Sequence, residues 1–346
     1  FPPKIIQLKT KTKEQPFNIA SRKQIAERLM EKGWKPTKKT EKDNVIINEE
    51  VLDRIPMEEA RMFSRYFLLQ KRTGLLKSWI KECDEDGRVR GKVLTLKTIT
   101  GRMAHHSPNM AQVPAIYSPY GKECRNLWTV SNPNTHILVG TDASSLELRC
   151  LAHYLDDKDY TNEILNGDIH TANQKAAGLE TRDQAKTFIY AFLYGAGAAK
   201  IGKVVGAGPG KGTILIKRFL DNVPNLKTLR ENTQEAAQKG IIVGLDGRHL
   251  HIRKVHSSVN TLLQGAGAIV CKEWLVHMDK RIRRTGLDAR LVASVHDEYQ
   301  FEVAKKDVKR FGLITKEAMK EAEKSLDMKC PLDCTYKAGL TWSETH

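Results

Sequence analysis

Nearly a hundred consecutive positions, residues 144–240, carry helical patterning with few strand signals, and strand-like runs lie on either side of them. The order along the chain is a helical arm, strands, a helical block, then hairpins with helices. The flanking runs are short and apolar. Residues 136–140 read as a buried strand ending at Asp142, and residues 290–303 as a hairpin with His296 and Asp297 at its tip.

Elsewhere the pattern is more local. Residues 1–15 have no helical period and read as an extended lead-in. Ser21 and Gln24 form a capping-box pair, Ile25, Leu29 and Met30 share a helix face, and Gly33 supplies the stop. A longer helical pattern over residues 57–82 is interrupted by Gly74, and residues 89–98 look strand-like. Asp246-Gly247 between two apolar runs predicts a hairpin with a type I′ turn over residues 241–252. Helices are expected over residues 259–284 and 306–325. With no internal repeat and no low-complexity segment, the chain reads as one module with inserted subdomains.

Fifty-seven Lys and Arg against 41 Asp and Glu give a net charge of +16, with a pI near 9.5. A polyanion such as nucleic acid is the leading partner at that balance. Residues 1–40 hold eleven of the cations and only three Glu, which fits either a nucleic-acid contact or a solvated lysine-rich face. No apolar run reaches the length of a membrane span, so no membrane role is expected. Six scattered cysteines make neither a disulfide framework nor a CxxC metal pattern, as in a reducing, cytosolic compartment. Phe1, in place of an initiator Met, reads as a processing boundary.

Asp142 and Asp297 each sit where a strand ends, flanked by apolar residues. Carboxylates there either cap a turn or bind something, and two brought together suit a pair of Mg²⁺ ions roughly 3.5–4 Å apart for phosphoryl transfer. Arg182, Lys186, Tyr190 and Tyr194 recur every four positions and line one helix face. Two cations followed by two aromatics can hold a triphosphate and stack on a base, or simply form a surface face with half-buried tyrosines. Asp183 compensates the helix N-terminus. Residues 206–212 resemble a phosphate loop but lack its spacing, and read as a flexible turn. Arg102, Asn109 and Gln112 in the polar loop 100–112 could contact phosphates. Asn260 and Gln264, four apart on a helix, could read minor-groove acceptors or satisfy each other.

In order, the chain reads TGRxxxxxPNxxQ, DASSLELR (142–149), Arg-x3-Lys-x3-Tyr-x3-Tyr-Gly, NTLLQ (260–264) and VHDE (295–298). That order resembles the polymerase domain of the family A DNA polymerases, from about Pro16 onward. LELRCLAHYL, NGDIHTANQ and AKTFIYxFLYGAG make it similar in particular to the replicative polymerases of podovirus-type bacteriophages. The resemblance implies a right hand of α+β, multi-subdomain type. A partial helical thumb with its basic lead-in would take residues 1–85, an antiparallel-sheet palm 86–153 and 256–346, and helical fingers 154–255.

Carried over by position, the resemblance implies that Asp142 and Asp297 are the metal-binding palm carboxylates, with the Ala143 carbonyl as a further ligand and Glu298 as a supporting acid. His170, Arg182 and Lys186 would hold the incoming triphosphate, and Lys186 would also serve the leaving pyrophosphate as a catalytic group. Tyr190 would pack on the nucleotide, and Tyr194 near the template base. Glu147 would be the steric gate against a ribose 2′-OH. Arg102, Asn109, Gln112, Asn260, Gln264 and His296 would contact the primer–template.

The implied reaction joins a primer 3′-OH to a dNTP α-phosphate at two Mg²⁺ ions, with Mn²⁺ as a substitute, for phage genome replication in the cytoplasm of an infected bacterial host. A processivity factor and a replicative helicase-primase are the candidate protein partners. Tyr190, where other members carry Phe, implies ready acceptance of dideoxynucleotides. Ala191 and Ser145 depart from the family pattern without touching a metal ligand or a phosphate contact. No exonuclease is assigned to these residues. Two other classes share features with the chain: a single-subunit phage-type RNA polymerase, which Glu147 opposes, and a non-catalytic DNA-binding fragment, which would need neither both aspartates nor Lys186.

Overall fold

A computed structural model describes residues 16–40 and 42–346. The extended lead-in read over residues 1–15 lies outside the described residues. The chain divides into two compact units, one ending at Arg88 and the other beginning at Val89.

The first unit is helical, with α1 (Arg22–Glu31), α2 (Glu49–Leu52) and α3 (Glu58–Lys81). Ile25, Leu29, Ile47, Leu52, Ile55 and Phe67 make its core. Ser21 caps α1 by accepting from the Gln24 amide, while the Gln24 side chain accepts from the Asn18 amide rather than closing the box on Ser21. Met30, expected on the apolar face, is exposed. Gly74 does not interrupt α3, which runs unbroken through it. One glycine in a helix interior costs about 1 kcal/mol, too little to break 24 residues.

The second unit holds β1 (Lys92–Leu94), β2 (Ala104–His106), α4 (Gly121–Asn126), β3 (His136–Ala143) and α5 (Leu146–Leu155). Then come α6 (Lys158–Leu165), α7 (Ile169–Ala177), α8 (Arg182–Leu193), α9 (Ala198–Val204), α10 (Pro209–Asn222) and α11 (Pro224–Gln238). It closes with β4 (Ile241–Val243), β5 (His249–His251), α12 (Ser258–Thr285), β6 (Ala289–Val295), β7 (Glu298–Ala304), α13 (Val308–Ser325) and β8 (Cys334–Gly339). The strand-like reading of residues 89–98 reduces to the three residues of β1, paired with β2.

The main sheet runs β6-β7-β3-β8, antiparallel throughout. Strand alternation gives it two unlike faces. On one, Tyr299 and Phe301 meet the helices: the Tyr299 hydroxyl donates to the Cys271 carbonyl at 2.8 Å, Trp274 stands edge-on to its ring, and Phe301 packs on Phe311. On the other lies a buried polar row, Glu298, Gln300 and Glu302, which needs partners to be tolerated. Thr345 donates to Gln300 at 2.8 Å and the Ser131 amide to Glu302 at 2.5 Å. Gly140 sits in this row because a β-carbon there would overlap the Gln300 amide and the Thr345 carbonyl.

Two expectations about turns are corrected. The β4–β5 hairpin does not turn through a two-residue type I′ loop. Gly244 pairs with Arg248, the Gly247 amide donates back to Gly244, and only Gly247 of the three loop residues has positive φ, so the turn is the three-residue kind. Residues 206–212 are a turn only in part: 206–208 link α9 to α10, and 209–212 are the first turn of α10. A β-carbon at Gly212 would overlap the Ala198 carbonyl, one at Gly202 the Gly208 carbonyl. Gly202 and Gly212 permit two helix backbones to touch.

Candidate active site

β3 delivers Asp142 at its next-to-last position, and the β6–β7 turn delivers His296 and Asp297. His296 adopts φ +58°, which tightens the two-residue loop. The Ala143 amide donates to the Asp297 carbonyl at 3.1 Å, tying the strand end to the turn, and Asp142 lies directly across from Glu298 in the ladder. Asp142 and Asp297, 155 residues apart in sequence, therefore meet at one end of the sheet's inner strands.

Their electrostatics are costly. Burial, then the negative charges of Asp297 and Glu298, push the Asp142 carboxyl up to about 7. Neither Asp142 nor Asp297 has a hydrogen-bond or ion-pair partner for its carboxylate among the described residues. Glu298 is the opposite case: its carboxylate accepts from Trp342 Nε1 at 2.6 Å and Gln300 Nε2 at 2.5 Å, and lies 2.8 Å from His346 Nδ1. Arg125, stacked 4.5 Å over the Trp342 ring, stands 3.9 Å from it. Burial alone would raise Glu298, yet His346 and these donors hold it below its ordinary value.

No cluster of three or more metal-ligating side chains occurs among the described residues. A cation here would be held by two unpartnered carboxylates and by oxygens from outside the chain. That donor set fits Mg²⁺, which keeps waters and takes one or two carboxylates together with substrate phosphates.

The turn from β3 into α5 passes through Ser145 at φ +50° and puts Glu147 in the first helical turn. The Tyr194 hydroxyl donates to both Glu147 oxygens, at 2.9 and 3.0 Å, and Arg102 lies 3.5 Å from the same carboxylate. Burial and the Glu147 charge push the Tyr194 phenol up to about 12. Tyr194 is not inside α8 but caps its C-terminus.

A capping box between Thr181 and Gln184 fixes the start of α8 at Arg182. Arg182 and Lys186 are exposed, and Tyr190 is half-buried, its ring 6.2 Å from that of His170 on α7. Burial, then the charges of Glu147 and Asp297, raise the Tyr190 phenol. His170 is lowered by burial and by Arg182 and Lys186.

The remaining expected residues are spread around this centre. Asn260 and Gln264 lie half-buried in the first turns of α12. Asn109 caps a single 3-10 turn by accepting from the Ala111 amide at 3.1 Å, and Gln112 ends that turn exposed. His296 is exposed, and its charge helps hold His105, half-buried, below the usual imidazole range, after burial itself.

The family model for DNA polymerase family A matches residues 4–344. The chain belongs to DNA polymerase family A. It is 39% identical to the DNA-directed DNA polymerases of Enterobacteria phage T3 and Escherichia phage T7, over 95% of this chain and 53% of theirs. DNA polymerase I of Geobacillus stearothermophilus is 28% identical over 95% of this chain and 40% of its own. The chain thus spans about half the length of the curated relatives it matches. The solved polymerase domain of Pol1 from M. smegmatis, in complex with DNA primer-template and dNTP, superposes with a TM-score of 0.84 at 22% identity, covering 95% of this chain and 62% of that one. The shared fold is the family A polymerase domain, mixed helix and antiparallel sheet.

Several residues at this family A site escape the sequence reading. Asp168 caps α7 and pairs with Arg182. Its signal was local: an Asp directly before Ile-His-Thr is a helix N-cap pattern. Arg125, Trp342 and His346 close around Glu298 from distant parts of the chain, with no local signal.

Proposed function

We propose that this chain is a template-directed DNA polymerase that extends a primer 3′-OH with dNTPs. The observation that carries the reading is the meeting of Asp142 and Asp297, both unpartnered, with Asp297 near enough to Tyr190 on α8 for its charge to raise the phenol. A structural pair of carboxylates would be neutralised by a cation or a donor; here Asp142 stays strained against ionisation until something positive arrives.

Residues 86–153 and 256–346 serve as palm, 154–255 as fingers and 1–85 as part of the thumb, a first boundary close to the division after Arg88. Bound Mg²⁺ ions, or Mn²⁺ in their place, would lower the cost of charge on the attacking and leaving oxygens. Asp142 and Asp297 would hold them, with the Ala143 carbonyl as a further ligand beside the oxygens of substrate and water. Arg182 and His170 bind the triphosphate oxygens, and Lys186 neutralises the departing pyrophosphate or gives it a proton. Tyr190 packs on the sugar and base. Glu147, held by Tyr194 and Arg102, fills the space that a 2′-OH would need. Arg102, Asn109, Gln112, Tyr194, Asn260, Gln264 and His296 line the path of primer and template, and Glu298 keeps negative charge behind Asp142. In this reading the enzyme replicates phage DNA in the host cytoplasm, with a processivity factor and a helicase-primase as partners.

The test is primer extension on a recessed template with dNTPs and Mg²⁺ at low salt, beside Asp297→Ala. Extension by the unmodified chain alone, with equal primer–template binding by both, is the expected result. Extension by both would overturn the assignment of the carboxylates.

A further inference from the structure

Arg182 does not stand alone at the start of α8. Its Nε donates to Asp168 Oδ2 at 2.6 Å and its Nη2 to Asp168 Oδ1 at 3.2 Å, a two-point grip on one edge of the guanidinium. The same carboxylate caps α7: Oδ1 accepts from the His170 and Thr171 amides at 3.1 and 3.4 Å, and Oδ2 from the Thr171 hydroxyl at 2.8 Å. One side chain therefore fixes both the first turn of α7, which carries His170, and the direction of Arg182 fourteen residues later. The Nη1 end of Arg182 makes no hydrogen bond to the described residues. A guanidinium held by its Nε edge presents its far edge to an anion with less conformational freedom to lose.

We propose that Asp168 is a positioning residue for nucleotide binding, which aims Arg182 and His170 together at the triphosphate. The inference rests on the reading of Arg182 as a triphosphate contact. Asp168 touches no reacting atom. Its negative charge would by itself repel a triphosphate, so the fixed geometry must outweigh that repulsion if the residue is to help.

Asn at this position separates the two duties of the carboxylate. Its carbonyl oxygen still caps α7 and keeps the longer contact from Arg182 Nη2, whereas its amide faces Arg182 Nε donor to donor, so the two-point grip is lost. Asp168→Ser likewise keeps a cap and is too short to reach Arg182. The measurement is the dNTP concentration needed to stabilise the chain on a primer–template whose primer ends in a dideoxynucleotide, so that no turnover is required. Melting temperature is followed in parallel.

For Asp168→Asn and Asp168→Ser the required dNTP concentration should rise roughly fivefold, the upper range for an exposed ion pair, with melting unchanged. Arg182→Lys should raise it further, and adding Asp168→Asn to Arg182→Lys should cause no further loss. Where turnover is measured, KM should rise with kcat nearly constant. Unchanged or tighter binding by Asp168→Asn, with Arg182→Lys weakened, overturns the positioning role and leaves the nucleotide reading standing. If Arg182→Lys binds dNTP as well as the unmodified chain, the nucleotide reading fails and the inference with it.

Discussion

Replacing Asp142 with Asn should make the metal-free protein more stable at pH 8. In the unfolded chain this carboxyl ionises near its ordinary value of 3.8; in the fold, burial and the charges of Asp297 and Glu298 delay ionisation to about 7. The folded state thus holds its proton more tightly. The stability this confers is complete below about pH 4 and is lost as pH climbs toward 7. Full ionisation in place corresponds to about 4 kcal/mol, and solvent reaching a partly open carboxylate reduces that to about 2 kcal/mol. The amide carries no such slope. Urea unfolding in EDTA should show the two proteins alike at pH 4, with the variant ahead by about 2 kcal/mol at pH 8. Adding Mg²⁺ should restore the unmodified chain and leave the Asp142→Asn variant nearly unmoved. Parallel pH profiles for both proteins in EDTA would refute the reasoning, since they would mean that Asp142 is not strained by its neighbours.

Three further outcomes are expected. Glu147→Ala should narrow the preference for dNTP over NTP by about tenfold or more in single-nucleotide incorporation, by opening the space above Tyr194. Tyr190→Phe should reduce dideoxynucleotide incorporation by at least about tenfold relative to dNTP, measured by chain-termination ratio; no change would remove the phenol from sugar discrimination. Gly140→Ala should destabilise the second unit by about 1–3 kcal/mol in urea, because the new methyl meets the Gln300 amide and the Thr345 backbone.

The elements that deliver the site were legible because they repeat. β3 and the β6–β7 hairpin show apolar runs bounded by turn residues, and α8 shows its four-residue spacing of cations and aromatics. β8 was missed: Cys334–Gly339 alternates poorly and lies half open to solvent, so nothing local marks it as a sheet edge. The Asp246-Gly247 signal named the hairpin correctly and its turn wrongly, because the loop closes one residue wider, at Gly244 and Arg248. Of the glycines in residues 206–212, Gly212 serves close contact with α9, while a β-carbon at Gly206, Gly208 or Gly210 would meet open space. The cap at Asp168 could be read from four residues, but its grip on Arg182 depends on α7 packing against α8. So does the shell of Glu298, assembled from Arg125, Trp342 and His346, which only tertiary structure brings together.

The touching backbones of α9 and α10 have a mechanical consequence. Helices separated by side chains can slide by rotamer changes; a pair meeting at Gly202 and Gly212 has no such slack. The pair is expected to move as one body, joined to α8 through Gly195, whose φ of +72° closes the end of α8 with the Ala196 amide donating to the Ala191 carbonyl. Spectroscopic probes placed one on each helix of the pair should keep a constant spacing through a catalytic cycle, and any swing should register only between the pair and α12.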